Sequence, residues 1–337
     1  MNSENKLLTV SASPHVKHWE NSRTIMLDVI IALLPAFIWA IYAFGWRAFT
    51  ITLLSVASCM VFEYATQKLL RRPVTVLDLS SVVTGILLAF NLPVSVPLWI
   101  PVMGAFFAIV IVKQLFGGIG KNIMNPALAA RVFLFTAWPN EIKDFVAPLK
   151  NTLSPLNITV DATASATPLI ALKQGVSPDV SIFDMMIGNM PGSLGEVSVI
   201  LLLIGGIYLL VRRTITWHIP VSFLATVAVL TYLFPRATSM QQWEFMVMEL
   251  CSGGLILGAF FMATDYATSP LTSSGRIIYG VGCGLITVFI RYFGGYNEGV
   301  SFAILIMNLL VWYIDRFTRP RIFGALPKKK KNKKEEA

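Results

Sequence analysis

Charge is scarce in this chain: Asp, Glu, Lys and Arg make up only 13% of its 337 residues. That shortage argues against a soluble domain, because 55% hydrophobic residues and a mean hydropathy of +0.68 exceed what one aqueous core hides. Cysteine and histidine are scarcer still, three of each. Cys59, Cys251 and Cys283 all fall in apolar runs, without a CxxC or a histidine at ligand spacing. Neither a disulfide framework nor a local metal motif is indicated, and the three are expected to be packing residues. His15 and His18 precede the first apolar run and His218 opens a later one, with structural or interfacial roles expected. The first apolar run also lacks a clear small-residue cleavage site, so it is expected to stay as an anchor rather than leave as a signal peptide.

What fills the chain instead is a succession of apolar blocks about as long as the roughly 20 residues that cross a bilayer. They read as about ten transmembrane helices, near 24–44, 48–67, 79–97, 98–115, 126–138, 196–211, 214–234, 245–262, 277–292 and 299–315. The expected fold is therefore an all-α, polytopic membrane protein. The fifth block is the shortest and carries Arg131, but basic residues decide for it. With ten crossings and an inside N-terminus, Arg71-Arg72, Lys121, Arg212-Arg213, Arg276 and the "KKKKNKK" tail all face the cytoplasm, as the positive-inside bias requires. The net charge of +9 then reads as membrane orientation, with the lysine tail attracted to anionic lipid headgroups. Nucleic acid is not an expected partner, since no aromatic residues interleave the basic tail.

The two halves echo each other. "DLSSVVTGILLAFNLP" from Asp78 is followed by an apolar span and "KQLFGGIGKN", while "ELCSGGLILGAFFMATD" from Glu249 is followed by another and "RYFGGYNEG". Five spans per half would set the halves in opposite orientations, two inverted five-helix repeats, as in many transport proteins. The expected division is a tail at 1–23, a first repeat at 24–138, an extracytoplasmic segment at 139–195, a second repeat at 196–315 and a basic tail at 316–337. "AFNLPVSVP", "GGIGKNIMNPA" and "FMATDYATSPLTSSG" read either as interruptions inside the membrane or as tight turns at its surface. Ionisable residues at membrane depth need a partner or a task. Asp28, Glu63, Lys113, Arg131, Asp265 and Arg291 qualify. Asp28 lies close to an interface, and Lys113 and Arg291 are long enough to snorkel. Asp265, in a hydroxyl-rich broken segment, is the strongest functional candidate.

One stretch of the extracytoplasmic segment, "DATASATPL" from Asp161 to Leu169, is rich in small hydroxyl residues. Locally it announces a short helix, with Thr167 at the N-cap, Pro168 at the first helical position and Gly175 as the stop. A threonine there is explained by capping alone, and equally by an anion held at a helix start.

"SPHV", "IMLDVIIALLPA", "FGGIGKNIMNPALAARVF", "DATASATPL" and "FMATDYATSPLTSSGRIIYGVGCGLI" occur in order along nearly the whole chain. Together they resemble the family of the D subunit of the Rnf complex, the ion-translocating ferredoxin:NAD oxidoreductase, and the related B subunit of the Na-translocating NADH:quinone reductase. The resemblance implies a flavin-carrying electron-transfer subunit in the bacterial inner membrane, in which the charge argument places both termini in the cytoplasm. It also implies the other members of the complex (A, B, C, E and G) and a flavin transferase as partners. By the same resemblance FMN is joined through its phosphate to Thr167, with Asp161 and Ala166 completing the attachment motif. Ala164 and Ser165 depart from the commonest form of that motif, which leaves Thr163 and Ser165 as alternatives. A second, non-covalent flavin, riboflavin, is implied near Asn122 and Asn125. Asp265, read from its own place in a broken segment, is expected to pair, bind a cation or contact a flavin cofactor. The rival readings are the quinone reductase subunit itself, expected to have a longer N-terminal extension, and an inverted-repeat channel or transporter without flavin. No nucleophile and base constellation and no nucleotide loop is evident, so the chain is not expected to be a complete enzyme alone.

Overall fold

A computed structural model describes residues 21–146, 148, 167–196, 198–237 and 240–320. Asp161, Thr163, Ala164, Ser165 and Ala166, with His15, His18 and the lysine tail, lie outside the described residues. The regular structure is helical. Four helices, Ser22–Phe44, Trp46–Leu69, Ser273–Phe293 and Val300–Thr318, are each long and apolar enough to cross a membrane. Shorter apolar helices occupy Ser80–Phe90, Trp99–Gln114, Pro126–Ala137, Val199–Val211 and His218–Leu233. A further pair, Gln242–Cys251 and Leu255–Met262, meets at an angle of 63°.

Two expected spans are thus not single helices. The third ends at Phe90, and the backbone at 91–98 turns instead, since Pro93 and Pro97 have no amide to continue the ladder. Leu92, Val94 and Val96 in that turn are buried, so their freed carbonyls need partners inside the protein. Arg47 supplies two of them, its Nε donating to the Val94 carbonyl at 2.9 Å and its Nη2 to the Val96 carbonyl at 2.8 Å, and the Leu194 amide donates to the Leu92 carbonyl at 3.1 Å. The eighth span breaks after Cys251 because Gly253 and Gly254 take left-handed backbone, with φ of 69° and 63°, a conformation that glycine adopts without a Cβ penalty. The Pro126–Ala137 helix has 12 residues, a length of about 18 Å, well short of a hydrocarbon core of about 30 Å.

Trp46–Leu69 lies against Ser80–Phe90 and the Trp99–Phe106 segment, and His218–Leu233 lies against Gln242–Cys251 and Ser273–Phe293. Ser22–Phe44 packs on Val199–Val211, and Pro126–Ala137 packs on Val300–Thr318. In lipid, close backbone approach substitutes for hydrophobic drive. Gly280 and Gly284 provide it in the second half: a Cβ on Gly280 would stand 2.9 Å from the Ile219 carbonyl, and one on Gly284 would stand 2.6 Å from the Thr226 Cβ.

Candidate functional site

Two clefts lie at opposite ends of the helices. Around the first, basic side chains tie helix ends together. Arg72 donates to the Gln114 carbonyl at 2.6 Å, Arg212 pairs with Asp28 at 3.3 Å, and Arg276 donates to the Thr216 hydroxyl at 3.1 Å. This cleft is lined by Ser80, Lys113, Asn122, Asn125, Thr264 and Asp265 among others. The fold therefore brings Asn122, Asn125 and Asp265 together from loops 140 residues apart in sequence.

Most of these groups are already committed. Asn125 caps the Pro126–Ala137 helix, its Oδ1 accepting from the amides of Ala127 at 3.0 Å and Leu128 at 3.3 Å. Its Nδ2 donates to the Met262 carbonyl at 3.2 Å, tying the first half to the broken helix of the second. Asn122 makes one long bond, Nδ2 to the Met124 carbonyl at 3.4 Å. The half-buried Asp265 accepts from the Thr268 hydroxyl at 3.1 Å, and its carbonyl accepts from the Ser269 amide at 3.1 Å. The space between these walls is about 100 Å³, against the roughly 300 Å³ at which pockets for drug-sized ligands begin. Of the two asparagines, Asn122 keeps more of its amide uncommitted, since Asn125 spends its oxygen on the helix cap.

Lys113 does not snorkel. It is buried, and its Nζ lies 2.7 Å from Glu63 Oε1 and 2.6 Å from the Ser80 hydroxyl. Gln114 donates to the same Glu63 oxygen at 2.9 Å. Arg291 does not snorkel either: its Nη1 donates to Glu249 Oε2 at 2.6 Å and its Nη2 to the Ser252 carbonyl at 2.9 Å. Ion pairing inside the protein wins over reaching for the interface, because each cation finds a carboxylate and a second polar partner at the end of a neighbouring helix, the Ser80 hydroxyl or the Ser252 carbonyl.

The second cleft holds Thr167. Its backbone has the N-cap conformation expected, with φ −68° and ψ 148°, and Gly175 closes the helix in the left-handed region at φ 79°. The hydroxyl, however, makes no capping hydrogen bond. Thr167 is 9% exposed and lines a cavity of about 350 Å³ with Arg131, Phe135, Lys143, Tyr296 and Phe302. Tyr296 stacks on Phe302 at 4.5 Å, and Phe135 meets the edge of Tyr296 at 5.6 Å. Lys173 holds this aromatic wall in place, donating to the carbonyls of Gly294 at 2.6 Å and Tyr296 at 2.9 Å. Burial, and secondly the Arg236 charge, push its ammonium below the ordinary lysine range. A hydroxyl free of its cap, aromatic faces and the exposed Lys143 ammonium form a donor set that suits a planar aromatic group esterified through a phosphate.

Sequence reasoning missed three acids: Glu196, Glu249 and Glu298. Glu249 carried a signal, since it sits in an expected span and needs a cation as Glu63 does. Glu196 and Glu298 lie at span edges beside glycines, where a carboxylate looks like ordinary loop chemistry. Arg131, by contrast, was singled out, and the structure shows its partners. It pairs with the Glu298 carboxylate and donates to Asn91 Oδ1 at 2.9 Å and to the Ser301 hydroxyl at 3.0 Å.

Residues 9–324 match the family described as NQR2, RnfD, RnfE. The chain is 47% identical, over 97% of its length and 98% of the relative's, to the D subunit of the Na(+)-translocating ferredoxin:NAD(+) oxidoreductase complex of Acetobacterium woodii. It is 40% identical, over 94% and 96%, to the D subunit of the proton-translocating ferredoxin:NAD(+) oxidoreductase complex of Clostridium ljungdahlii. It is 42% identical, over 89% and 91%, to the D subunit of the ion-translocating oxidoreductase complex of Stutzerimonas stutzeri.

Proposed function

The chain belongs to the NQR2, RnfD, RnfE family, and from that membership we propose that it is the D subunit of an Rnf-type, ion-translocating ferredoxin:NAD oxidoreductase complex. It works as one multi-pass membrane component of a translocase, with NAD and iron–sulfur chemistry on its partner subunits. Its ten apolar helical units cross the membrane as two inverted sets of five, with the basic end and both termini in the cytoplasm. The short helices complete their crossings through buried turns such as 91–98, which is the arrangement that non-helical backbone tolerates in lipid. The Thr167 cleft then opens on the other side of the membrane, where a flavin transferase reaches it.

The flavin reading rests on one observation: Thr167, its hydroxyl free of the cap, lines a cavity with aromatic walls and the exposed Lys143. FMN esterified there supplies electron transfer to and from its ring system. Thr167 would hold the phosphate, the exposed Lys143 would offset its charge, and Tyr296 and Phe302 would shield a ring from water. Thr167→Val keeps the shape and removes the oxygen. Expressed with the transferase, the wild-type protein should fluoresce in a denaturing gel and carry the mass of FMN, and the valine variant should show neither. Fluorescence that survives in Thr167→Val moves the attachment to Thr163 or Ser165. A wild-type protein without FMN mass defeats the flavin reading and leaves the flavin-free transporter.

A further inference from the structure

Beneath Thr167 is a second, much smaller cavity. It is lined by Thr167, Glu196, Glu298, Ser252 and Gly253, and its volume is about 10 Å³, at the lower edge of what holds one water-sized species. Glu196 is 6% exposed and faces the Glu298 carboxyl, and its Oε1 has no hydrogen-bond partner among the described residues. The break in the eighth span comes up to that orphan oxygen: a Cβ on Gly254 would stand 3.7 Å from it. A buried carboxyl oxygen without a donor carries a desolvation cost that natural structures rarely leave unanswered.

Charge counting says what is missing. The positive group that bears on this pair of acids is Arg131, in contact with Glu298. Arg291 is spent on the Glu249 carboxylate and offers Glu298 only a bond to its backbone carbonyl, at 3.1 Å. Lys173 is bonded to carbonyls, and Lys143 is exposed on the wall of the outer cleft. Two carboxylates against one guanidinium leave one negative charge in excess, out of water, where a facing pair does not stay fully ionised unless a cation joins it. Among the described residues no three of His, Cys, Asp and Glu come together as a metal-binding group. The deficit is thus a single positive charge.

We propose that Glu196 and Glu298 bind one small monovalent cation, a proton or an alkali ion, in the cavity beneath Thr167. The site stands on this chain's own side chains. Its link to electron transfer rests on the FMN reading, since a charge added to a group on Thr167 is felt by a cation held next to it.

A hydrophobic carbodiimide tests the site directly, because it adds to a protonated carboxyl sheltered from water and leaves an acylurea that mass spectrometry places on one residue. The purified complex should be labelled at Glu196 or Glu298. Glu196→Gln, which supplies a neutral group of the same shape, should lose an adduct found at Glu196, and Glu298→Gln one found at Glu298. NaCl that suppresses labelling, where choline chloride at equal ionic strength does not, identifies an alkali ion. Labelling that follows pH and ignores sodium identifies a proton. The same reaction on the Thr167→Val complex, which lacks the attached group, separates the two readings: labelling there supports the cation site whatever the outcome for flavin. Absence of any adduct on Glu196 or Glu298 between acid and neutral pH, with no sodium retained by the complex, overturns the proposal.

Discussion

The clefts at the two ends of the molecule differ less in residue types than in how many of their polar atoms are spoken for. At the basic end, Asn125 spends its whole amide on a helix cap and on the Met262 carbonyl, and Lys113 is locked onto Glu63. At the other end, the Thr167 hydroxyl makes no capping bond, and Glu196 Oε1 has no partner among the described residues. A polar residue that has satisfied its hydrogen bonds within the fold holds structure together, and one that has not is available to a ligand. The comparison assigns stability chiefly to the first cleft and chemistry chiefly to the second, with Asp265 as the residue that straddles the division.

The largest effect expected from that division is at Lys113. Lys113→Met leaves Glu63 buried without its cation, a loss of about 3–5 kcal/mol that should appear as early thermal aggregation of the solubilised complex. Adding Glu63→Leu removes the stranded charge, so the double variant should recover much of the loss. A single variant as stable as the wild type would mean that water reaches Glu63 and that the basic end is looser than its distances suggest. Next comes Asp265→Asn, which keeps the bonds to Thr268 and to the loop backbone but removes the charge. The complex should assemble normally, while ferredoxin-driven ion uptake falls severalfold. Uptake equal to wild type would place Asp265 with Asn125 as a structural residue. The smallest effect is expected at Asn125 itself. Asn125→Ala should cost about 1 kcal/mol, the usual worth of an N-cap, whereas Asn122→Ala, with one long bond to lose, should leave the melting transition nearly unmoved. Equal shifts for the two would erase the distinction between committed and free amides on which the comparison stands.

Much of the architecture follows from composition alone. Apolar runs separated by basic turns require helices in a bilayer, because no other local structure satisfies a backbone within a segment out of water. The local chemistry of "ATPLIALKQG" was legible for the same reason: proline and glycine constrain the backbone one residue at a time, and both act at the positions expected. The fate of side chains was less legible. A lysine at the end of an apolar run reads identically whether it snorkels or pairs, and only the arrival of Glu63 from another helix decides between them.

What the sequence determined by itself is therefore whatever depends on one residue or on its near neighbours: helix, break, cap and the sign of each loop. Tertiary structure decided which charges cancel. Glu63 meets Lys113 and Glu249 meets Arg291, while Glu196 and Glu298 share Arg131 between them. Electrostatic energy out of water depends on separations of a few ångströms between residues that are tens to hundreds of positions apart in the chain. No reading of neighbours along the chain fixes such a distance. It is set when helices pack, and with it the excess of carboxylates over cations beside Thr167 among the described residues.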